Sequence, residues 1–177
     1  ELLVTHGQKL EGWIGSSVFV EHTAALTNNL PVTMIKATCS GANGDVVIMY
    51  DGGVAYQMLQ NHTVTGLADD NTGCPLTNAL TFYRNRVWAL KDNLLYWSAA
   101  LPTTYVAQFD RATHVYSMTV GAERAVVGVR DMGLLCFGAD AVYGINPTIE
   151  PAATDKPEKI LDIGCRAANT VVQVADD

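Results

Sequence analysis

Thr81-Phe82-Tyr83-Arg84-Asn85-Arg86-Val87-Trp88-Ala89-Leu90-Lys91-Asp92-Asn93-Leu94-Leu95-Tyr96-Trp97-Ser98 is the stretch on which the fold turns. Residues 80–83, 86–90 and 94–98 are short aliphatic and aromatic runs, separated only by Arg84-Asn85 and by Lys91-Asp92-Asn93. Runs of that length closed by Asn and Asp read as strands joined by tight turns, because those side chains tolerate the turn backbone. No apolar stripe at i, i+3, i+4 and i+7 survives long enough to make a helix. The stretch is therefore expected to be an antiparallel meander.

The same grammar recurs along the chain. Residues 2–5, 10–14 and 18–21 form a first unit, with a turn at Gly15-Ser16-Ser17. Residues 46–50 and 54–58 flank Asp51-Gly52-Gly53. Residues 125–129, 134–137 and 141–145 flank Arg130-Asp131-Met132-Gly133 and Gly138-Ala139-Asp140. Taking Ser16, Gly52, Asp92 and Ala139 as turn centres gives separations of 36, 40 and 47 residues. A propeller blade of four strands repeats every 40–50 residues or so. The expected fold is all-β, a β-propeller or partial propeller of about four antiparallel meander blades, with an irregular β-sandwich as the alternative. Blades are placed at 1–28, 29–66, 78–110 and 120–150, with 160–177 starting another, so that the chain reads as a fragment of a longer propeller. Polar connectors at 65–78 and 147–157 separate them, and Val171-Val172-Gln173-Val174 reads as a further strand running into Asp176-Asp177.

Composition agrees. The 177 residues are 49% hydrophobic and 16% charged, where a soluble domain carries roughly 25% charged residues. Strands covered on both faces by neighbouring sheets need few charges. Disorder is excluded by the same figures. No run approaches the ~20 apolar residues of a membrane-spanning helix, and no membrane partner is expected. The net charge of −7 argues against tight binding to a phosphate backbone. The deficit is uneven: residues 1–80 hold two basic and seven acidic side chains, residues 81–177 nine and eleven.

The segment 81–98 resembles the "F-x-x-R-v-W … l-Y-w-S" blade of tailed-phage structural proteins, the β-propeller tail-tube and head–tail connector subunits of the packaged-DNA stabilisation type. Residues 99–109 resemble the loop after that blade. Val127-Gly128-Val129-Arg130-Asp131-Met132-Gly133-Leu134-Leu135-Cys136-Phe137 resembles its next blade, and Ile163-Gly164-Cys165-Arg166-Ala167-Ala168-Asn169-Thr170-Val171-Val172 the start of another. The resemblance covers about 78–174. It implies a non-enzymatic virion protein, assembled in the host cytoplasm, whose partners are other virion proteins and copies of itself, with DNA passing weakly nearby.

Tyr83, Arg84, Arg86, Trp88, Trp97 and Tyr105 are the candidate interaction surface, since Arg and aromatic residues are enriched at interfaces and on nucleic-acid-binding grooves. Strand alternation places Arg84, Arg86 and Trp88 on one side, Tyr83 and Val87 on the other. The bland reading makes Arg84-Asn85 a turn and has Arg86 tie a neighbouring loop through a carboxylate. A lectin-like propeller using Trp13, Trp88 and Trp97 is the alternative function. A propeller glycoside hydrolase would need paired acids, and Asp69-Asp70 and Asp176-Asp177 are the pairs present. His6, His22, His62 and His114 are dispersed, with no zinc spacing, so neither a metal nor a cofactor is expected. Cys39, Cys74, Cys136 and Cys165 read as reduced thiols, and a Cys39–Cys74 bridge is the disulfide of choice if one forms.

Overall fold

Short β-rich runs between turn residues become four antiparallel meanders. The computed structural model describes residues 2–6, 8–13, 19–23, 26, 32–38, 44–67, 69–100, 108–147, 150–152, 154–167 and 171. The first sheet contains β1 (Leu2–His6), β2 (Lys9–Trp13) and β3 (Phe19–Thr23). The second contains β4 (Thr33–Thr38), β5 (Asp45–Tyr50), β6 (Ala55–Met58) and β7 (Val64–Leu67). In the third are β8 (Leu80–Tyr83), β9 (Arg86–Lys91), β10 (Leu94–Trp97) and β11 (Val115–Ser117). The fourth is β12 (Glu123–Val129), β13 (Gly133–Gly138), β14 (Val142–Ile145) and β15 (Glu158–Leu161). Within every sheet the spatial order is the chain order, and no helix occurs among the described residues.

The turns explain the register. Arg84 and Asn85 have φ of 46° and 59°, and Asp92 and Asn93 have 51° and 64°. Two consecutive left-handed residues make the tight hairpin turn whose twist matches the strands it joins. Between β5 and β6, Asp51 Oδ1 accepts from the Gly53 and Val54 amides at 2.9 and 2.7 Å. Gly133, at φ 104°, starts β13 where a Cβ would come within 2.3 Å of the Ile145 carbonyl oxygen.

Strand alternation then divides each middle sheet between two cores. From β5, Val46 and Ile48 pack toward the third sheet with Ala37, Ala55, Val87 and Ala89, while Met49 joins Leu10, Leu26, Tyr56 and Met58 toward the first. From β9, Val87 and Ala89 face the second sheet, and Trp88 and Leu90 face the fourth with Leu95, Trp97, Tyr116, Leu134 and Cys136. Three apolar layers thus separate four sheets. The first strands β4 and β8 lie against each other, and β12 packs on β8 and β9. This stacking, first strand beside first strand, is consistent with successive blades of a partial propeller and with a sandwich. Among the described residues the fold is all-β, four antiparallel meanders stacked in chain order.

Crossing bonds identify equivalent strands. Leaving β11, the chain passes the β9–β10 turn, where the Met118 amide donates to the Asn93 carbonyl at 2.9 Å. Leaving β15, it passes the β13–β14 turn, and the Cys165 amide donates to Gly138 O at 2.8 Å. Leaving β3, the Leu26 amide donates to Gln8 O at 3.0 Å, in the β1–β2 turn. So β1, β2 and β3 correspond to the second, third and fourth strands of the other sheets.

Three expectations change. The unit placed at 78–110 omits β11, and that at 120–150 omits β15, because long connectors separate these strands from the hairpins before them. Residues 160 and 161, expected to begin a new blade, belong to β15. The turn centre at Ser16 falls between β2 and β3, outside the described residues, and the turn equivalent to Gly52, Asp92 and Ala139 is the one at Gln8. Cys74 is a buried free thiol, so the Cys39–Cys74 bridge is not formed; Cys39 lies outside the described residues.

Candidate interaction surface

The candidate residues divide into core and rim. Tyr83 pairs with Arg86 across the β8–β9 hairpin, and Thr81 with Trp88. Tyr83 therefore shares a face with Arg86 and Trp88, not with Val87 as simple alternation through Arg84 suggested. The turn at Arg84-Asn85 takes both residues out of the strand and resets the count. Trp88 is completely buried and Trp97 is 2% exposed. They pair across β9 and β10 with ring centroids 5.8 Å apart, and Trp97 lies 4.3 Å from the Tyr116 ring and 5.3 Å from His114. The Trp88 indole N–H donates to Tyr83 O at 3.0 Å. Neither indole has a face to offer a partner or a sugar.

Arg86 acts inside its own sheet. Its Nη1 donates to the Ser98 carbonyl at 2.9 Å, while Ser98 Oγ accepts from the Val87 amide at 3.0 Å. Burial lowers the guanidinium pKa, with Glu150 opposing. The tie ends on a carbonyl rather than on the carboxylate of the bland reading. Arg84 lies over the Tyr83 ring, 5.3 Å from its centroid, and donates to Pro147 O, joining the third sheet to the connector after β14. Tyr105 lies outside the described residues. Of the six candidates, Arg84 at the hairpin tip is the exposed one among those described.

The acid pairs serve turns. Asp70 Oδ1 accepts from the Thr72 amide and hydroxyl, both at 2.7 Å, and from the Gly73 amide at 2.9 Å, which holds its carboxyl below the usual range. Asp69 pairs with Arg111 at 3.0 Å, and Arg111 also donates to the carbonyls of Gly73 and Cys74. That guanidinium fastens the connector before β8 to the one before β11. Asp176 and Asp177 lie outside the described residues. No group of three metal-ligating side chains converges among the described residues. Burial pushes the Cys74 and Cys136 thiols up to about 12, which leaves them in the unreactive protonated form.

A cleft of about 670 Å³ opens beside the second sheet, lined in part by Leu3, Met34, Lys36, Asp45, Met58 and His62. Asp45, the one carboxylate among the described lining residues, is bound to Lys36 at 2.5 Å and held below the ordinary carboxylate value by that contact. A glycosidase pair needs a second carboxyl roughly 5–9.5 Å away, and the described lining residues include none.

Sequence reasoning overlooked β15. All four of its residues are exposed, with Ile160 and Leu161 each 53% accessible, and Ile163 just beyond it is 78% accessible. Among the described residues the strand pairs with β14 on one side and forms the outer edge of the fourth sheet. The signal was present in Glu158-Lys159-Ile160-Leu161-Asp162-Ile163, but no tight turn precedes it. No protein-family model matches this chain, and no curated protein matches its sequence.

Proposed function

We propose that the chain is a virion structural protein, a β-propeller subunit of a phage tail or head–tail connector that works through protein–protein contacts. Its partners on this reading are copies of itself and other virion proteins. The observation that carries it is β15, an outer edge strand bearing Ile160 and Leu161 in solvent, followed by exposed Ile163. An unpaired strand edge with an apolar run invites another chain to pair or pack on it, and natural proteins leave such edges bare where something covers them. The acidic balance fits a wall past which DNA slides without sticking. The burial of Trp88 and Trp97 removes two of the three tryptophans on which a lectin reading relied.

Two measurements test the proposal. Genes for a portal protein and a terminase beside the parent gene support it. Light scattering of the purified chain should show association that Ile160→Glu with Leu161→Glu abolishes. A chain that stays monomeric with or without those changes, and is retained by immobilised oligosaccharide, overturns it in favour of a sugar-binding module.

A further inference from the structure

On β5, Asp45, Val47 and Met49 alternate onto one face, the face turned toward the first sheet. Their partners on β4 are Thr38, Lys36 and Met34, and Met58 of β6 lies opposite Val47. Cover by the first sheet fades along this face. Met49 has no exposed surface and Met58 only 4%, Val47 is half-buried, and the Asp45 side chain is 43% exposed. The cleft of about 670 Å³ opens where the cover fails, and Leu3 of β1 lines it from the first sheet. Gln60, in the turn after β6, borders it beside the β4–β5 turn, where a Cβ on Gly44 would come within 2.4 Å of Gln60 Oε1.

The size of the cleft falls in the range of small-molecule sites, roughly 300–1,000 Å³, where apolar lining supplies affinity and a few polar groups fix orientation. Met34 and Met58 present two thioethers, Leu3 and Val47 aliphatic carbon. A thioether is polarizable, adapts its shape to what it touches and packs well against an aromatic ring. The polar end is Lys36 and Asp45, 2.5 Å apart. Asp45 accepts from Lys36 and from the Thr38 hydroxyl, so its oxygens are already engaged. The Lys36 ammonium carries three donors and gives one to Asp45. Since the two charges cancel, this end offers donors without net charge. An anion would be repelled by Asp45 and a cation by Lys36.

We infer that the cleft is a binding site for a neutral, planar aromatic molecule that carries a carbonyl or ring-nitrogen acceptor. The ring lies against the thioethers of Met34 and Met58, and the acceptor takes a proton of the Lys36 ammonium. This site does not rest on the virion reading, which stands on the edge strand β15.

Coumarin, a neutral bicyclic ring with a carbonyl acceptor, is the probe, read by methyl NMR on the five methionines of the full chain. Met118, buried between the third and fourth sheets, and Met132, 66% exposed, are the internal controls. The expected result is a saturable shift of the Met34 and Met58 methyls while Met118 and Met132 stay in place. Lys36→Met keeps the apolar stem and removes the donor, and should weaken coumarin about tenfold, the worth of a hydrogen bond to a charged group. Naphthoate, of the same ring size but anionic, should bind the native chain several-fold more weakly than coumarin. It should gain in Asp45→Asn, where Lys36 is left without its counter-charge. Both substituted side chains are exposed, 66% and 43%, so neither change disturbs the core. Absence of a saturable shift at Met34 and Met58 overturns the inference, as does an equal shift at Met132, which marks non-specific adsorption. Coumarin affinity unchanged in Lys36→Met removes the polar anchor and overturns it too. Naphthoate binding the native chain as tightly as coumarin rejects the neutral class of ligand.

Discussion

Trp88 has no exposed surface and its indole N–H is satisfied by Tyr83 O, so it both fills the layer between the third and fourth sheets and fixes the hairpin it belongs to. Trp88→Ala should cost about 3–5 kcal/mol, the range for removing a large aromatic from a packed core, read as a lowered midpoint in urea. Gly128 makes the complementary argument: a Cβ there would sit 2.7 Å from Tyr83 Cδ2 and 3.0 Å from its Cβ. Gly128→Val should destabilise by about 1–3 kcal/mol, and Tyr83→Ala in the same chain should recover part of that loss, which a double-mutant cycle measures. These residues also mark the limit of what the sequence told. Tyr, Trp and Arg are the types that dominate interfaces, and they are equally the types that fill large cores. Residue type carries no information on which side of a sheet is covered, so Trp88 and Trp97, expected at a surface, lie inside.

Hairpins were legible because their turns carry their own chemistry. Arg84-Asn85, Asp92-Asn93 and Asp51-Gly52-Gly53 predict the three turns found there. The outer strands β11 and β15 were not, because they have four residues or fewer and follow long connectors without a fixed turn type. Missing them also shifted the first sheet by one strand, since nothing in a three-strand unit says whether its first or its last member is absent. Asn93 is where turn and crossing meet: it adopts φ 64°, and its Oδ1 accepts from the amides of Val120 and Gly121 at 2.9 and 3.0 Å. Asn93→Gly keeps the backbone conformation and removes the acceptor. It should therefore cost about 1–3 kcal/mol, the penalty for orphaning buried amides, and speed exchange at Val120 and Gly121 while the β9–β10 pairing persists.

Across the whole molecule, stability should form a plateau between about pH 5 and 8, with a different cause at each end. Asp45, Asp70 and Asp110 are held below the ordinary carboxylate value, by Lys36, Thr72 and Thr113 respectively. Their contributions are full above the unfolded value near ~3.9 and fade as pH falls through and below it. Cys74 and Cys136 are pushed the other way, so their contribution is full below the unfolded thiol value near ~8.5 and is lost progressively above it. Thermal melts from pH 3 to 10 or so check both limbs, and Cys74→Ala with Cys136→Ala should flatten the alkaline limb while leaving the acid one. The division of each middle sheet between two layers has a further consequence, for which changes in length the chain can accept. Deleting one residue from β9 would send Trp88 and Leu90 into the narrow layer built for Val87 and Ala89, and would send the small pair into the wide one. Such a deletion spoils two cores at once, whereas the same loss in the connector after β14 moves no side chain across a sheet. Length differences among descendants of this sequence should therefore collect in the connectors, leaving β5 and β9 at six residues each.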